Sequence, residues 1–139
     1  DIIRSLINQN AIVICCGGGG IPVVKRDGYY AGVPAVIDKD RVSSKLAIEM
    51  GVDALIISTA IDAIRTGFAT ESEKIHRTLT LDQAKMYLKS GEFPAGSMGP
   101  KVASLIDFIE NKVDGKSVLC QPGDAIKALR GDCGTTISQ

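Results

Sequence analysis

Two lysines and a run of four glycines are the residues of this 139-residue chain that could do chemistry on an anion. The glycines, Gly17, Gly18, Gly19 and Gly20, follow the apolar residues 11–14, whose length and β-branched content predict a buried strand. Side chains do not shield the N–H groups of such a run, so an anion can approach them closely. Glycine runs also occur at sharp turns that bind nothing. The P-loop pattern G-x-x-x-x-G-K-[ST] occurs nowhere in the chain.

The first lysine lies in the segment Asp38-Lys39-Asp40, where an extended stretch meets a predicted helix. The free amides of a first helical turn and the positive end of the helix dipole favour a phosphate at such a place. Lys39 would add a mobile positive charge there. Asp40 has two interpretations, a helix cap or a group that orients lysine ammonium groups, and its local pattern favours the cap.

The second lysine, Lys101, follows the small residues Gly96-Ser97-Met98-Gly99 and then Pro100. The small side chains allow a ligand to approach closely, and proline suits the first turn of a following helix. A lone lysine at such a position is more often solvated than catalytic. On spacing alone, therefore, Lys101 is expected at the surface.

The remaining candidate ligands do not form a metal site. Of the four cysteines, Cys15 and Cys16 are neighbours, and neighbours on a strand point to opposite faces and make a poor metal pair. Without C-x-x-C spacing, all four are expected to be buried, reduced thiols. The single histidine, His76, lies in a polar stretch and is expected at the surface.

Composition excludes several classes of function. Sixteen basic and sixteen acidic residues give a formal net charge of zero, and a nucleic-acid binder would show a basic excess or stripe. The chain has few aromatic side chains on which nucleic-acid bases could stack: three Phe, three Tyr and no Trp. Apolar runs are far shorter than the ~20 residues of a membrane span. We expect a soluble, cytoplasmic protein that contacts neither nucleic acid nor membrane, and the absence of a starter methionine suggests a piece of a longer chain.

Apolar runs alternate with helical patterns along the sequence. The predicted strands are 11–14, 54–57, 117–121 and 135–137, and Asp27-Gly28 predicts a hairpin within 22–34. The predicted helices are a helix tail at 2–8, then 40–50 ended by Gly51, 81–89 opened by a Thr80/Gln83 capping box, one after the loop 94–100 through Asn111, and 124–129. The helix that ends at Asn111 is predicted to place four apolar residues on one face: Val102, Leu105, Ile106 and Ile109. This alternation implies an α/β fold, a three-layer αβα sandwich with a mainly parallel sheet.

Taken in chain order, the segments CGGGGIPVV, GVPAVIDKD, GSMGPK and GDCGTTI resemble carbamate kinases, members of the amino-acid kinase superfamily. The resemblance extends over nearly the whole chain. It implies that residues 1–139 are one nucleotide-binding half-domain, the C-terminal half of a kinase about twice as long. Such enzymes move a phosphoryl group between carbamoyl phosphate and ADP to give ATP and carbamate, with Mg²⁺ bridging phosphates, and the resemblance suggests a homodimer.

The resemblance also assigns roles to residues. Lys39 and Lys101 would contact the transferring group and the nucleotide phosphates, and Asp40 would hold the two ammonium groups apart and aligned. Residues 17–20 would lie against the substrate phosphate. The positions that would border the nucleotide are Asp38, Ser58, Thr59, Ala60, Gly96, Ser97, Met98 and Gly99.

Two departures from the family pattern leave alternatives open. Ala60 stands where the family commonly has an aspartate, and Arg65 and Thr66 replace tyrosine or apolar residues. A catalytically weakened nucleotide-binding or regulatory module is therefore the main alternative. Kinases of acetylglutamate, aspartate or glutamate are less similar, since they usually lack the contiguous GGGGIPV and DKD segments. A place in arginine or purine catabolism follows from the resemblance alone.

Overall fold

A computed structural model describes residues 2–139 of the chain. Its helices are α1 (Ile2–Asn8), α2 (Lys39–Met50), α3 (Leu81–Lys89), α4 (Met98–Asn111) and α5 (Ala125–Arg130). Its strands are β1 (Gly19–Gly20), β2 (Val23–Arg26), β3 (Tyr29–Gly32), β4 (Ile37–Asp38), β5 (Ala54–Ser58), β6 (Ile64–Thr66), β7 (Lys74–His76), β8 (Thr78–Thr80), β9 (Lys116–Cys120) and β10 (Thr135–Ser138).

The central sheet has four strands in the order β5-β9-β10-β8. The pairs β5/β9 and β10/β8 are parallel, and only β9/β10 is antiparallel. The register sets Ser58 opposite Cys120, so β5 and β9 end at the same edge of the sheet. In open α/β sheets ligands bind beyond the carboxyl ends of the strands, which makes this edge the first place to look for a site.

Helices cover both faces of this sheet, as the α/β prediction requires. Leu119 packs into a large core with α2, α3 and α4, whereas its neighbours Val118 and Cys120 pack against Ala128 of α5 on the opposite face. The apolar positions predicted for one face of α4 are all buried: Val102, Leu105, Ile106 and Ile109. Each such side chain contributes about 1.5–3 kcal/mol on burial, so α4 anchors the fold.

Two helix boundaries agree with the sequence and two do not. The Thr80/Gln83 capping box opens α3, and Gly51 ends α2 with a φ of 68°. The cap of α2, however, is Asp38 rather than Asp40, so the local interpretation of Asp40 is wrong. Helix α4 begins at Met98, inside the predicted loop 94–100. Pro100 is tolerated in its first turn because the N–H groups of a first turn have no partner within the helix, so a residue without an N–H loses no hydrogen bond there.

The predicted strand over residues 11–14 does not form. The segment is irregular, and Ile12 and Ile14 are 97% and 98% exposed. A β-branched apolar run becomes a strand only beside a partner that completes its hydrogen-bond ladder, and within residues 2–139 nothing pairs with it. Local propensity alone is insufficient here.

Two antiparallel hairpins lie outside the central sheet. Strands β2 and β3 pair around Asp27-Gly28, whose φ values of 49° and 86° suit a tight primed turn, and this hairpin falls within the segment 22–34. The second hairpin, β6/β7, is not predicted by the sequence, since strands of three residues are too short to show a period. It buries His76, whose predicted surface position is therefore wrong.

Candidate functional site

The glycine run divides into a packed half and an open half. Strand β1 pairs antiparallel with β4, and the register sets Gly19 opposite Asp38. A Cβ at position 19 would overlap the carbonyl oxygen of Ile37, so only glycine fits there. A Cβ at Gly17 or Gly18 would meet no atom of the described chain within 4 Å. Residues 19 and 20 thus fix the run against β4, while open space lies beside residues 17 and 18.

The Asp38-Lys39-Asp40 segment begins α2 beside this glycine run. The Asp40 N–H donates to Asp38 Oδ1 over 2.8 Å, which satisfies one free amide of the first turn. Lys39, the first residue of α2, is exposed, and among residues 2–139 its ammonium group has no ion-pair partner. Its charge is available to a ligand at the helix N-terminus.

Asp40 and Lys101 form the best-enclosed ion pair of the described chain. Lys101 Nζ lies 2.9 Å from Asp40 Oδ2, and the two side chains are 15% and 11% exposed, lysine first. They come from the first turns of α2 and α4, which pack against each other. The expectation of a solvated Lys101 is therefore wrong. A pair this enclosed is costly to desolvate and is held by its geometry.

A cavity of about 190 Å³ opens beyond the end of β5, with Lys101 in its wall. Thr59, Ser97 and Met98, three of the predicted nucleotide positions, also line it. The rest of the wall is largely apolar, from Ile61, Phe68, Phe93 and Pro94. Small-molecule sites usually measure about 300–1,000 Å³, so this cavity encloses part of a ligand rather than a whole one.

Four of the other predicted nucleotide positions, Ser58, Ala60, Gly96 and Gly99, are sequence neighbours of lining residues but do not line the cavity themselves. Ser58 ends β5, and Ala60 is held where its carbonyl oxygen accepts a 3.0 Å hydrogen bond from Gln121 Nε2. Gly99 is buried, and its N–H donates to Pro94 O over 2.9 Å. Gly96 is exposed with open space around it.

The glycine segment and the cavity are two candidate subsites, and the ion pair links them. Residues 17–20, Asp38 and Lys39 do not line the cavity, while Lys101 does. Asp40, which follows Lys39 in α2, holds Lys101 at the cavity wall. The structure thus brings all three predicted catalytic residues to one region. Their catalytic roles stay predictions.

Sequence reasoning did not place two polar residues of the cavity wall, Arg65 and Glu92. Arg65 pairs with Glu73 and Asp62, and hydrogen bonds to these carboxylates raise the pKa of its guanidinium. Glu92 Oε2 accepts a hydrogen bond from the N–H of Gly67 over 2.9 Å. In the sequence Arg65 stands out only as a departure from the family pattern, and Glu92 carries no local signal.

Residues 2–139 contain neither a cluster of three or more candidate metal ligands nor a helix that could span a membrane. No group of three or more His, Cys, Asp or Glu within residues 2–139 is placed to hold a metal ion. Mg²⁺ usually binds only one or two carboxylates together with substrate phosphates, so it does not require such a group. Among the described helices, none combines the length and apolar character of a membrane span.

The sequence profile of the amino acid kinase family matches residues 1–119. This chain belongs to the amino acid kinase family. It is 40% identical to a carbamate kinase from Staphylococcus haemolyticus over 139 residues, which is all of this chain and 45% of that protein. It is 42% identical to one from Halobacterium salinarum over 135 residues, or 97% of this chain and 44% of that protein.

The fold comparison agrees with the sequence comparison. The structure of carbamate kinase from Giardia lamblia bound to AMP-PNP superposes with a TM-score of 0.92 at 37% identity, covering 99% of this chain and 48% of that one. The predicted α/β fold with a mainly parallel sheet is thereby confirmed. This amino acid kinase chain spans about half the length of the curated relatives it matches. Its placement in the C-terminal half stays a prediction from the motif order.

Proposed function

We propose that this chain supplies the nucleotide-binding part of a phosphotransferase that moves a phosphoryl group between carbamoyl phosphate and ADP, giving ATP and carbamate. The observation that carries the proposal is the enclosed Asp40–Lys101 pair, which links the glycine segment, with open space beside Gly17 and Gly18, to a cavity at the sheet edge. The carbamate kinases at about 40% identity support the choice of reaction.

Phosphoryl transfer needs positive charges at fixed positions, and Lys39, Asp40 and Lys101 would supply them. Phosphoryl transfer depends on positioning the reactants and neutralising charge, with little covalent work for the protein. Lys101 would place its ammonium on the nucleotide phosphates, and the exposed Lys39 would reach the transferring group. Asp40 keeps the charge of Lys101 fixed at 2.9 Å instead of letting the side chain swing freely.

The two subsites divide the ligands between them. The apolar cavity beyond β5 would take part of the nucleotide, and the AMP-PNP bound to the Giardia lamblia carbamate kinase supports this choice of ligand. The amides of Gly17 and Gly18 would hold the phosphate of the second substrate. Because the cavity holds about 190 Å³, the remaining contacts would come from the other half of a longer protein. Homodimer assembly is a further proposal from the family resemblance.

In the proposed reaction Mg²⁺ would bind together with the nucleotide phosphates. When bound, Mg²⁺ would neutralise phosphate charge. Every role assigned above belongs to lysine, aspartate or backbone groups.

The test is ATP formation from carbamoyl phosphate and ADP by the longer protein that contains this chain. We expect Lys101→Met to lower turnover by about 10²–10³, the usual cost of losing a group that stabilises transition-state charge. Lys85→Met is the matched control, because Lys85 forms an exposed pair with Glu110 and lies outside the cavity. Unchanged turnover in Lys101→Met would refute the proposed role.

A nucleotide-binding module without turnover is the second candidate function. The observation that favours it is Ala60, whose methyl group stands at the sheet edge where the family commonly carries a carboxylate. Nucleotide binding in the intact protein, with no ATP formed in the coupled assay, would select the module over the enzyme.

A further inference from the structure

The segment GDCGTTI, residues 131–137, is part of the family resemblance but has no role in the proposed function. Two of its side chains carry groups that could do chemistry, Cys133 and Thr135. Cys133 is half-buried and is not the buried thiol that the sequence predicted, and neither are Cys15 and Cys16, which are exposed because their segment has no pairing strand within residues 2–139. Thr135, by contrast, is a fully buried polar residue at the start of β10.

The Thr135 hydroxyl binds both strands of the β6/β7 hairpin. It accepts a hydrogen bond from the N–H of Ile64 over 2.7 Å and donates one to the carbonyl oxygen of His76. Ile64 opens β6 and His76 ends β7, and the register sets the two residues opposite each other. Because a hydroxyl group can donate and accept at the same time, one side chain of the central sheet holds the open end of the hairpin by both strands.

The polar contacts near the far end of the hairpin are less enclosed. The N–H of Gly67 donates to Glu92, which is half-buried. Arg65 pairs with Asp62, and their side chains are 28% and 37% exposed. Ion pairs with this much exposure contribute little to stability. The two buried hydrogen bonds of Thr135 are therefore the most enclosed side-chain contact between the hairpin and the sheet.

The same hairpin forms one wall of the cavity beyond β5. Arg65 directly follows Ile64, Phe68 lies in the turn between the strands, and both line the cavity. Thr135 does not line the cavity itself. It can act on a ligand only through the hairpin, because a shift of the open end changes the position of this wall.

We propose that Thr135 is a positioning residue for the nucleotide, since its hydroxyl holds the hairpin where Arg65 and Phe68 complete the cavity wall. The identity of the ligand rests on the proposed function, whereas the contacts of the hydroxyl do not. Thr135→Val keeps the branched shape of the side chain and removes the hydroxyl, so the N–H of Ile64 and the carbonyl of His76 each lose a buried partner. Because such a loss is costly, the open end of the hairpin should open toward water more often.

Two measurements on the 139-residue chain test the proposal, hydrogen–deuterium exchange read by mass spectrometry and calorimetric titration with ADP. In Thr135→Val the amides of residues 64–76 should exchange about tenfold faster, the change in an opening equilibrium expected when the hydrogen bonds of one buried hydroxyl are lost. The same variant should bind ADP about threefold or more weakly. Thr135→Ser keeps the hydroxyl and should restore both values to near those of the native chain.

Ser117→Ala is the matched control. Ser117 is fully buried in β9, and its hydroxyl donates to the carbonyl oxygen of Leu105 over 2.7 Å. The variant therefore also loses a buried hydrogen bond between a hydroxyl and the backbone, but this bond joins β9 to α4 and involves neither the hairpin nor a residue of the cavity wall. We expect native exchange at residues 64–76 and native ADP affinity. Circular dichroism checks that each variant is folded.

Three outcomes would overturn the positioning role while the proposed function stands. They are native exchange of the hairpin in Thr135→Val, native ADP affinity in that variant despite faster exchange, and an equal loss of ADP affinity in Ser117→Ala, which would assign the effect to general destabilisation. Absence of ADP binding by the native chain would instead refute the proposed function and the positioning role together. The two failures are therefore distinguishable.

Discussion

Replacing Asp40 with asparagine tests the most enclosed interaction of the candidate site. Asp40→Asn keeps the size of the side chain and removes its charge, so the ammonium of Lys101 stays at the cavity wall without its 2.9 Å partner. Water reaches that ammonium poorly, since the Lys101 side chain is 15% exposed. The variant should therefore be clearly less stable than the native chain.

The size of the loss follows from the burial of the pair. Removing one partner of a fully buried ion pair costs about 3–5 kcal/mol. Because the Asp40 and Lys101 side chains keep some exposure to water, the cost for this pair should be about 3 kcal/mol or slightly less. An acidic residue in a first helical turn adds about 0.3–1 kcal/mol. We expect Asp40→Asn to lower the free energy of unfolding by about 3 kcal/mol, a large share of the roughly 5–15 kcal/mol typical of whole domains.

Urea unfolding followed by circular dichroism measures this loss, because the chain has no tryptophan to report by fluorescence. With a urea slope of about 1–3 kcal/mol/M, the midpoint should fall by at least about 1 M. Glu110→Gln is the control: it breaks the Lys85–Glu110 pair, whose side chains are 43% and 42% exposed, and should cost under about 1 kcal/mol. Equal losses in the two variants would refute the argument from burial.

Two further predictions concern the glycine segment and the buried histidine. Gly19→Ala should lower the free energy of unfolding by about 1–3 kcal/mol, because the added methyl group overlaps Ile37 O. Gly18→Ala, whose methyl group meets open space, should be nearly neutral in the same urea assay. Equal losses of free energy in the two variants would contradict the packing described for β1. Burial, and next the charge of Lys74, lower the pKa of His76 in the folded chain. The unfolded chain therefore binds the proton more readily, and stability should fall as the pH drops below about 6.5. His76→Gln should flatten that dependence, and an unchanged pH profile would contradict it.

Local sequence patterns predicted the elements whose causes are local. The capping box at Thr80, the αL stop at Gly51 and the buried face of α4 each depend on residues within a few positions of one another, and each was confirmed. The strand over 11–14 failed, since its formation depends on a pairing partner rather than on its own residues.

The candidate site depended on contacts that no local pattern contains. Asp40 and Lys101 meet across 61 positions of sequence, so local spacing indicated a cap and a solvated lysine. Only the family resemblance suggested their convergence. His76 was misplaced for the same reason, because its burial comes from Thr66 of β6 and the ring of Tyr87 in α3.

The central claim is that the Asp40–Lys101 region binds the phosphates of a nucleotide. A calorimetric titration of this 139-residue chain with ADP tests it most directly. We predict weak, saturable binding that Lys101→Met weakens about tenfold or more, as expected for the loss of about 1.5–3 kcal/mol from a charge-assisted contact, and that Lys85→Met leaves unchanged. Equal ADP affinity in the native chain and Lys101→Met, or no binding in either, would contradict it.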